Sequence, residues 1–211
     1  MLIDTGAPWE NDNEADGVVL LSLPNHEVRE YLESQIPRIL RIEAEQKGHW
    51  PSMLQYSSSM STFQFDEAAK ILTEVLNGLR YDLLNENEFG GWALYSLRLM
   101  SGFEYIVTEL SRRIDSDQEG EKAKRLDGAL VVKQNDTYST IIVELKFNQD
   151  AQGALDQIRD NDYVARCEDF LGKRLGFHVA NWYSVGFNLS TTPAKLVTCK
   201  HESKIAAPRL H

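Results

Sequence analysis

Cysteine is scarce. Only Cys167 and Cys199 occur in 211 residues, and they form no C-x-x-C pair. That excludes a disulfide scaffold and a cysteine-based zinc site, and it suits a reducing, cytoplasmic setting. No apolar run approaches the ~20 residues that a membrane-spanning helix needs, so no membrane association is expected. The opening Met1-Leu2-Ile3-Asp4-Thr5-Gly6 has neither the basic region nor the apolar stretch of a secretory signal. Positive charge is in deficit: 22 Lys and Arg stand against 32 Asp and Glu, a formal net charge of −10. A protein that grips nucleic acid chiefly by neutralising phosphates should be basic. Contact with nucleic acid would therefore need local basic patches or a metal ion. The five histidines are scattered, with no H-x-x-x-H or H-E-x-x-H pattern. Neither a G-x-S-x-G elbow nor a Walker A pattern occurs, which speaks against a serine hydrolase and against ATP hydrolysis by this chain.

What is present is a globular composition. Hydrophobic residues make up 42% of the chain, enough for a sizeable core and too many for wholesale disorder. Residues 1–17 are polar and acidic. A short apolar run at 17–23 suggests a strand, and a helix is expected over 26–46, stopped by Lys47-Gly48-His49-Trp50-Pro51. The serine-rich stretch Ser57–Ser61 reads as a loop. Helical spacing predicts helices over 65–80 and 86–101. The period then changes. Strands are expected at 103–110, 127–133, 139–147 and 182–189, with a last one at 195–200. A helix over 151–171 is interrupted by the polar Asp160-Asn161-Asp162. The order implies an α/β (α+β) fold, with a helical segment over 1–82 and an αβββαβ core over 83–211. The N-terminal helices either pack on that core or present a surface to a protein partner or a second copy.

Chemistry concentrates in one hairpin. Arg125-Leu126-Asp127-Gly128 and Val143-Glu144-Leu145-Lys146 flank a turn-type segment. If the turn is a two-residue one on Asn135-Asp136, residues whose numbers sum to 271 face each other. Asp127 and Glu144 satisfy that sum, which sets their Cβ atoms about 4.5–5.5 Å apart. Lys146 shares the face of Glu144, two residues on. Both strands are otherwise apolar, so the two carboxylates face each other in a largely buried place. Such a pair needs a cation or a proton. Lys146 supplies one positive charge. A hard divalent ion would satisfy the oxygens further, and phosphodiester hydrolysis is the matching chemistry. A salt-bridged Asp–Lys–Glu cluster with no ligand is the equally weighted alternative.

At these residues the chain resembles the PD-(D/E)XK nuclease superfamily: Asp127, a hairpin, then Glu144-Leu145-Lys146. Gln157, in Leu155-Asp156-Gln157-Ile158, matches the glutamine that many members carry on the next helix. More narrowly it is similar to the nuclease-like domain at the C-terminus of AAA-ATPase-like bacterial proteins. Leu21-Ser22-Leu23-Pro24-Asn25, Asn85-Glu86-Asn87-Glu88-Phe89, Gln157-Ile158 with Tyr163, and Val185-Gly186-Phe187-Asn188-Leu189-Ser190 fall in that domain's order over residues 5–200. The resemblance implies a restriction-endonuclease-like core, a central mixed sheet flanked by helices. It implies Mg²⁺ (or Mn²⁺) held by Asp127 and Glu144, with the Leu145 carbonyl as a third ligand. Lys146 would position or help deprotonate the attacking water and meet the scissile phosphate, and Gln157 would orient the site. It places a further glutamate on the first core helix, Glu88, with Glu86 as its rival.

The expected activity is metal-dependent nucleic-acid hydrolysis, of DNA rather than RNA. The alternative is a catalytically inactive scaffold of the same fold that binds protein or nucleic acid. Arg112, Arg113, Lys122, Lys124, Arg125, Lys173 and Arg174 could meet a nucleic-acid backbone, although a solvated loop is their commoner role. Trp182, Tyr183 and Phe187 have base-stacking chemistry but core spacing. Cys167 reads as a small buried apolar group.

Overall fold

The computed structural model describes residues 39, 41–42, 44–46, 48–79, 82–83, 85–100, 102–108 and 126–205. The strand expected at 17–23, most of the helix expected over 26–46, and Arg112, Arg113, Lys122, Lys124 and Arg125 lie outside them. So does the side chain of Arg174.

The described residues 39, 41–42 and 44–46 are helical; after them come α1 (Trp50–Ser61), α2 (Phe65–Gly78) and α3 (Glu86–Ala93), the last followed by a 3-10 turn over Tyr95–Leu99. Then come β1 (Tyr105–Thr108), β2 (Gly128–Gln134) and β3 (Thr137–Phe147). A crossover of two helices, α4 (Ala151–Asp160) and α5 (Tyr163–Asp169), leads through a π-helical turn to β4 (Val179–Ser190) and β5 (Leu196–Ile205). The five strands lie in sequence order in one sheet. Only β3 and β4 run parallel. The protein is thus mixed α/β, with helices on both faces of a mixed sheet. Among the described residues no helix is long and apolar enough to cross a membrane.

Alternation along the strands divides the core in two. Leu130, Val132, Ile141, Val143, Leu145 and Phe187 face α1, α2 and α3 in one cluster. Ala129, Val131, Ile142 and Trp182 face α4 and α5 in the other. Trp182 and Phe187 are therefore core, and Tyr183 stacks on Phe63 at 4.3 Å. Cys167 is fully buried, and burial pushes its thiol up to about 12, so it packs as an apolar group.

The serine run is a correction. Ser57–Ser61 is the last part of α1, and Ser57 and Ser59 are buried. Pro51 stands in the first turn of this helix, where a missing N–H leaves nothing unpaired. The hydroxyls of Ser61 and Thr62 donate back to the Ser58 carbonyl, so these residues satisfy themselves within helical backbone. Small side chains let α1 sit close, and packing overrides weak propensity. The helix expected over 86–101 is shorter than its apolar pattern, giving way to the 3-10 turn after Ala93.

One glycine sets the depth of the crossover. A Cβ on Gly186 would collide with the Ala151 carbonyl and stand 2.8 Å from the Ala154 Cβ. Gly186 pairs with Glu144 in the parallel ladder, so this contact seats α4 against β4 directly beside Glu144. Gly186→Ala should lower stability by about 1–3 kcal/mol in urea unfolding, the cost of overpacking. Gly91→Ala, with nothing within 4 Å and a helical backbone, should be neutral or stabilising by up to about 1 kcal/mol. Equal effects at the two positions would show that the close approach is relaxed in solution.

Candidate active site

The hairpin register is the one the turn chemistry implies. Gly128 pairs with Val143 and Gln134 with Thr137, so paired numbers sum to 271. Asn135 and Asp136 both take positive φ, 47° and 61°, which a two-residue type I′ turn requires and which Asn and Asp tolerate. Asp127 stands one residue ahead of the ladder. Its Oδ2 accepts from the Leu145 N–H at 2.7 Å, taking over where backbone pairing ends. A strand residue directs its N–H and C=O to the same neighbour. The Leu145 carbonyl therefore leans to the Asp127 side as well.

Glu144 and Lys146 lie on the α4 face of β3, as alternation demands. The Lys146 ammonium stands 3.4 Å from Glu144 Oε1 and donates to Gln157 Oε1 at 2.7 Å. Gln157 Nε2 in turn donates to Glu144 Oε1. Gln157 reaches the strand because α4 is held in register at both ends. Asp150 caps it by accepting from the Gly153 N–H at 2.7 Å. Ala151, Ala154, Leu155 and Ile158 bury its inner face.

Glu144 is the least comfortable group in the cluster. Its side chain is 2% exposed, and its Oε2 accepts no hydrogen bond among the described residues. Burial, then the neighbouring Asp127 charge, push its carboxyl up to about 8, against the pull of Lys146. Lys146 is 13% exposed and Asp127 half-buried, so the cluster opens to solvent on their side.

Tyr163 is the neighbour that motif spacing assigned no role. It opens α5, and its hydroxyl accepts from the Asn161 side-chain amide at 3.0 Å. Burial raises the ionisation of that hydroxyl, and the charges of Glu144 and Asp127 add to the effect.

Asp127, Glu144, Lys146 and Gln157 thus meet at one place. Glu88 occupies a different layer. It heads α3, which packs on the opposite face of the sheet, where the Gly90 Cβ position touches Leu145. There Glu88 and Asn85 cap the helix reciprocally: the Glu88 N–H donates to Asn85 Oδ1, and Asn85 Nδ2 donates to Glu88 Oε1. Glu86 stands two residues earlier, as the first residue of the same helix. The acidic residues of the crossover are spent locally. Asp150 is a cap, and Asp156 pairs with Arg159 at 3.1 Å. Lys173 pairs with Asp169 on the surface.

Could this donor set hold the ion that the motif implies? Among the described residues no group of three or more His, Cys, Asp or Glu side chains gathers. Two carboxylates with a backbone carbonyl is nevertheless a hard all-oxygen set, and Mg²⁺ is typically bound by one or two carboxylates with waters completing the shell. The orphaned Glu144 Oε2 is the oxygen such an ion would satisfy. The residues fit Mg²⁺ or Mn²⁺.

Fold and site together define a mixed α/β protein with an acidic pair, a lysine and a glutamine at the end of a hairpin. The chain matches no family model and no curated protein.

The raised Glu144 carboxyl makes a stability prediction. The folded protein keeps this proton to higher pH than the unfolded chain. The stability linked to the neutral form is complete below the ordinary 4.5 and is lost as pH rises through about 8. Between about pH 5 and about pH 8, wild type should lose more unfolding free energy than Glu144→Gln, by up to ~1.4 kcal/mol for each pH unit crossed. Parallel pH curves for the two proteins would mean that Glu144 ionises freely.

Proposed function

We propose that this chain is a divalent-metal-dependent nuclease of the PD-(D/E)XK type, hydrolysing phosphodiester bonds of DNA. The observation that carries the reading is the buried, unpartnered Oε2 of Glu144, set beside Asp127 on strands that bring Lys146 to the same face. An ion-free cluster with both acids ionised sums to one negative charge, which repels a phosphate. A divalent cation turns that sum to one positive charge.

Asp127, Glu144 and the Leu145 carbonyl would hold the ion. When bound, it lowers the pKa of a water and stabilises charge on the phosphate. Lys146 holds the attacking water and a phosphate oxygen in line. Its ammonium is already aimed by the bond to Gln157. The water oxygen forms the new bond to phosphorus as the bond to the leaving sugar oxygen breaks. Glu144 is shielded from bulk water, and the ion would take the place of the proton that burial holds on its carboxyl. The excess of acidic residues confines DNA contact to the neighbourhood of the cation.

Plasmid and oligonucleotide cleavage with Mg²⁺ or Mn²⁺ tests this. Wild type should cleave. Asp127→Ala and Lys146→Ala should each lose about 10²–10³-fold in rate, the scale of removing one charge-stabilising group. Calorimetry should show Mn²⁺ binding that Asp127→Ala removes. A folded wild type that neither cleaves nor binds Mn²⁺ at millimolar concentration would establish the inactive scaffold instead.

A further inference from the structure

Lys146 and Gln157 stand on different elements, β3 and α4, and only Asn148, Gln149 and Asp150 join the two. The bond between their side chains is 2.7 Å long. A displacement of about 1 Å would take that donor and acceptor out of hydrogen-bond range. All three linking residues are exposed, so apolar packing does not fix the link.

The exit of β4 fixes it instead. Asn188 pairs with Lys146 in the parallel ladder, so the two side chains leave the sheet on the same face. Asn188 is 2% exposed. Its Oδ1 accepts from the Gln149 N–H at 3.0 Å, and its Nδ2 donates to Ser190 Oγ at 3.1 Å. Asn148 answers from the exit of β3. Its Oδ1 accepts from the Thr191 N–H at 2.9 Å and from the Thr191 hydroxyl at 3.0 Å, and its own N–H donates to the Leu189 carbonyl at 2.8 Å. Asn148 takes φ 54°, a left-handed turn that Asn tolerates better than most residues. Each strand exit is thus held by an asparagine of the other. Backbone N–H groups at strand ends can be satisfied by water, so satisfaction alone does not call for two side chains. What the pair adds is position.

We propose that Asn148 and Asn188 are positioning residues: their reciprocal clasp fixes the exit of β3 against β4, and so sets the start of α4 where Gln157 meets Lys146. The effect of the clasp on rate rests on the nuclease reading. Neither asparagine touches the reacting atoms. They act through the Lys146–Gln157 bond, which aims the ammonium.

Asn148→Gly removes the clasp from one side and leaves the left-handed turn unstrained. It should lower kcat about tenfold, the scale at which loss of a supporting partner is felt, while KM and Mn²⁺ affinity stay within about twofold. Asn148→Asp keeps the acceptor and tolerates the same turn, and should recover most of the lost rate. Because the clasp acts through Gln157, Asn148→Gly should slow a Gln157→Met protein by no more than about twofold. A folded Asn148→Gly protein with wild-type kcat, an Asn148→Asp protein as slow as Asn148→Gly, or a double variant slowed multiplicatively overturns the proposal. If wild type does not cleave, the nuclease reading fails and NMR still decides this point. In Asn148→Gly the backbone amides of Thr191 and Gln149 should both lose about tenfold or more of their protection from hydrogen exchange. Gln149 keeps its own acceptor in that variant, so its loss reports that the two asparagines work as a unit. The Gln157 side-chain amide signals, identified by their absence in Gln157→Met, should shift as well. Retained protection at Gln149, or unmoved Gln157 signals, overturns the proposal.

Discussion

A carboxylate removed from water must find compensation in the protein, and Glu144 finds it only in part. One oxygen meets Lys146 and Gln157, and the other meets no partner among the described residues. Asp127 opposite adds a second negative charge where the dielectric is low. Much of the surrounding structure can be understood as what is required to keep this arrangement in place. The hairpin sets two acids against each other, Gly186 brings α4 down onto the neighbouring strand β4, and the capped start of α4 places Gln157 at the right height. A sheet built for stability alone would have an apolar pair here, since replacing buried charges by hydrophobic residues is often neutral or stabilising. The proposed cation gives the strain a use.

The two faces of the sheet divide the work. On one, α1, α2 and α3 bury a large apolar cluster that includes Leu130, Ile141, Val143 and Phe187. That face makes the strands rigid. On the other, a smaller cluster under α4 and α5 stops at the polar group, where Ile142 is followed by Glu144 and then Lys146 toward the strand's end. A site carried on central strands is held more firmly than one on loops. Residues on the two sides of position 82 contribute to the same apolar cluster, so the helices before it and the sheet after it share one core.

Several features of the site were legible in the chain. Asn135-Asp136 announces a turn with two left-handed residues, and that turn alone dictates which residues of β2 and β3 oppose each other. The strand period then puts Glu144 and Lys146 on one side. Gln157 entered only through the family resemblance, which has a glutamine on the next helix. Other features left no local trace. Serines in α1 look like a loop, because their propensity is indifferent and only contact with the sheet-bearing core selects the helix. Glu88 has the chemistry of a ligand and the spacing of an N-terminal cap, and the cap is what Asn85 makes of it. Asn161 and Asp162 look like a polar interruption, and there the crossover does break into two helices.

By itself, the sequence determined the hairpin register and the placing of Glu144 and Lys146 on one face of the strand, with Asp127 opposite. These are short-range consequences of backbone sterics and side-chain alternation, set within a few residues. Only the tertiary structure decided that α4 closes over the pair and that Glu144 loses its water and one of its partners. Those outcomes depend on which distant surfaces come together, Gly186 against Ala151 above all. Desolvation is a property of everything around a group, and no local pattern of residues records it.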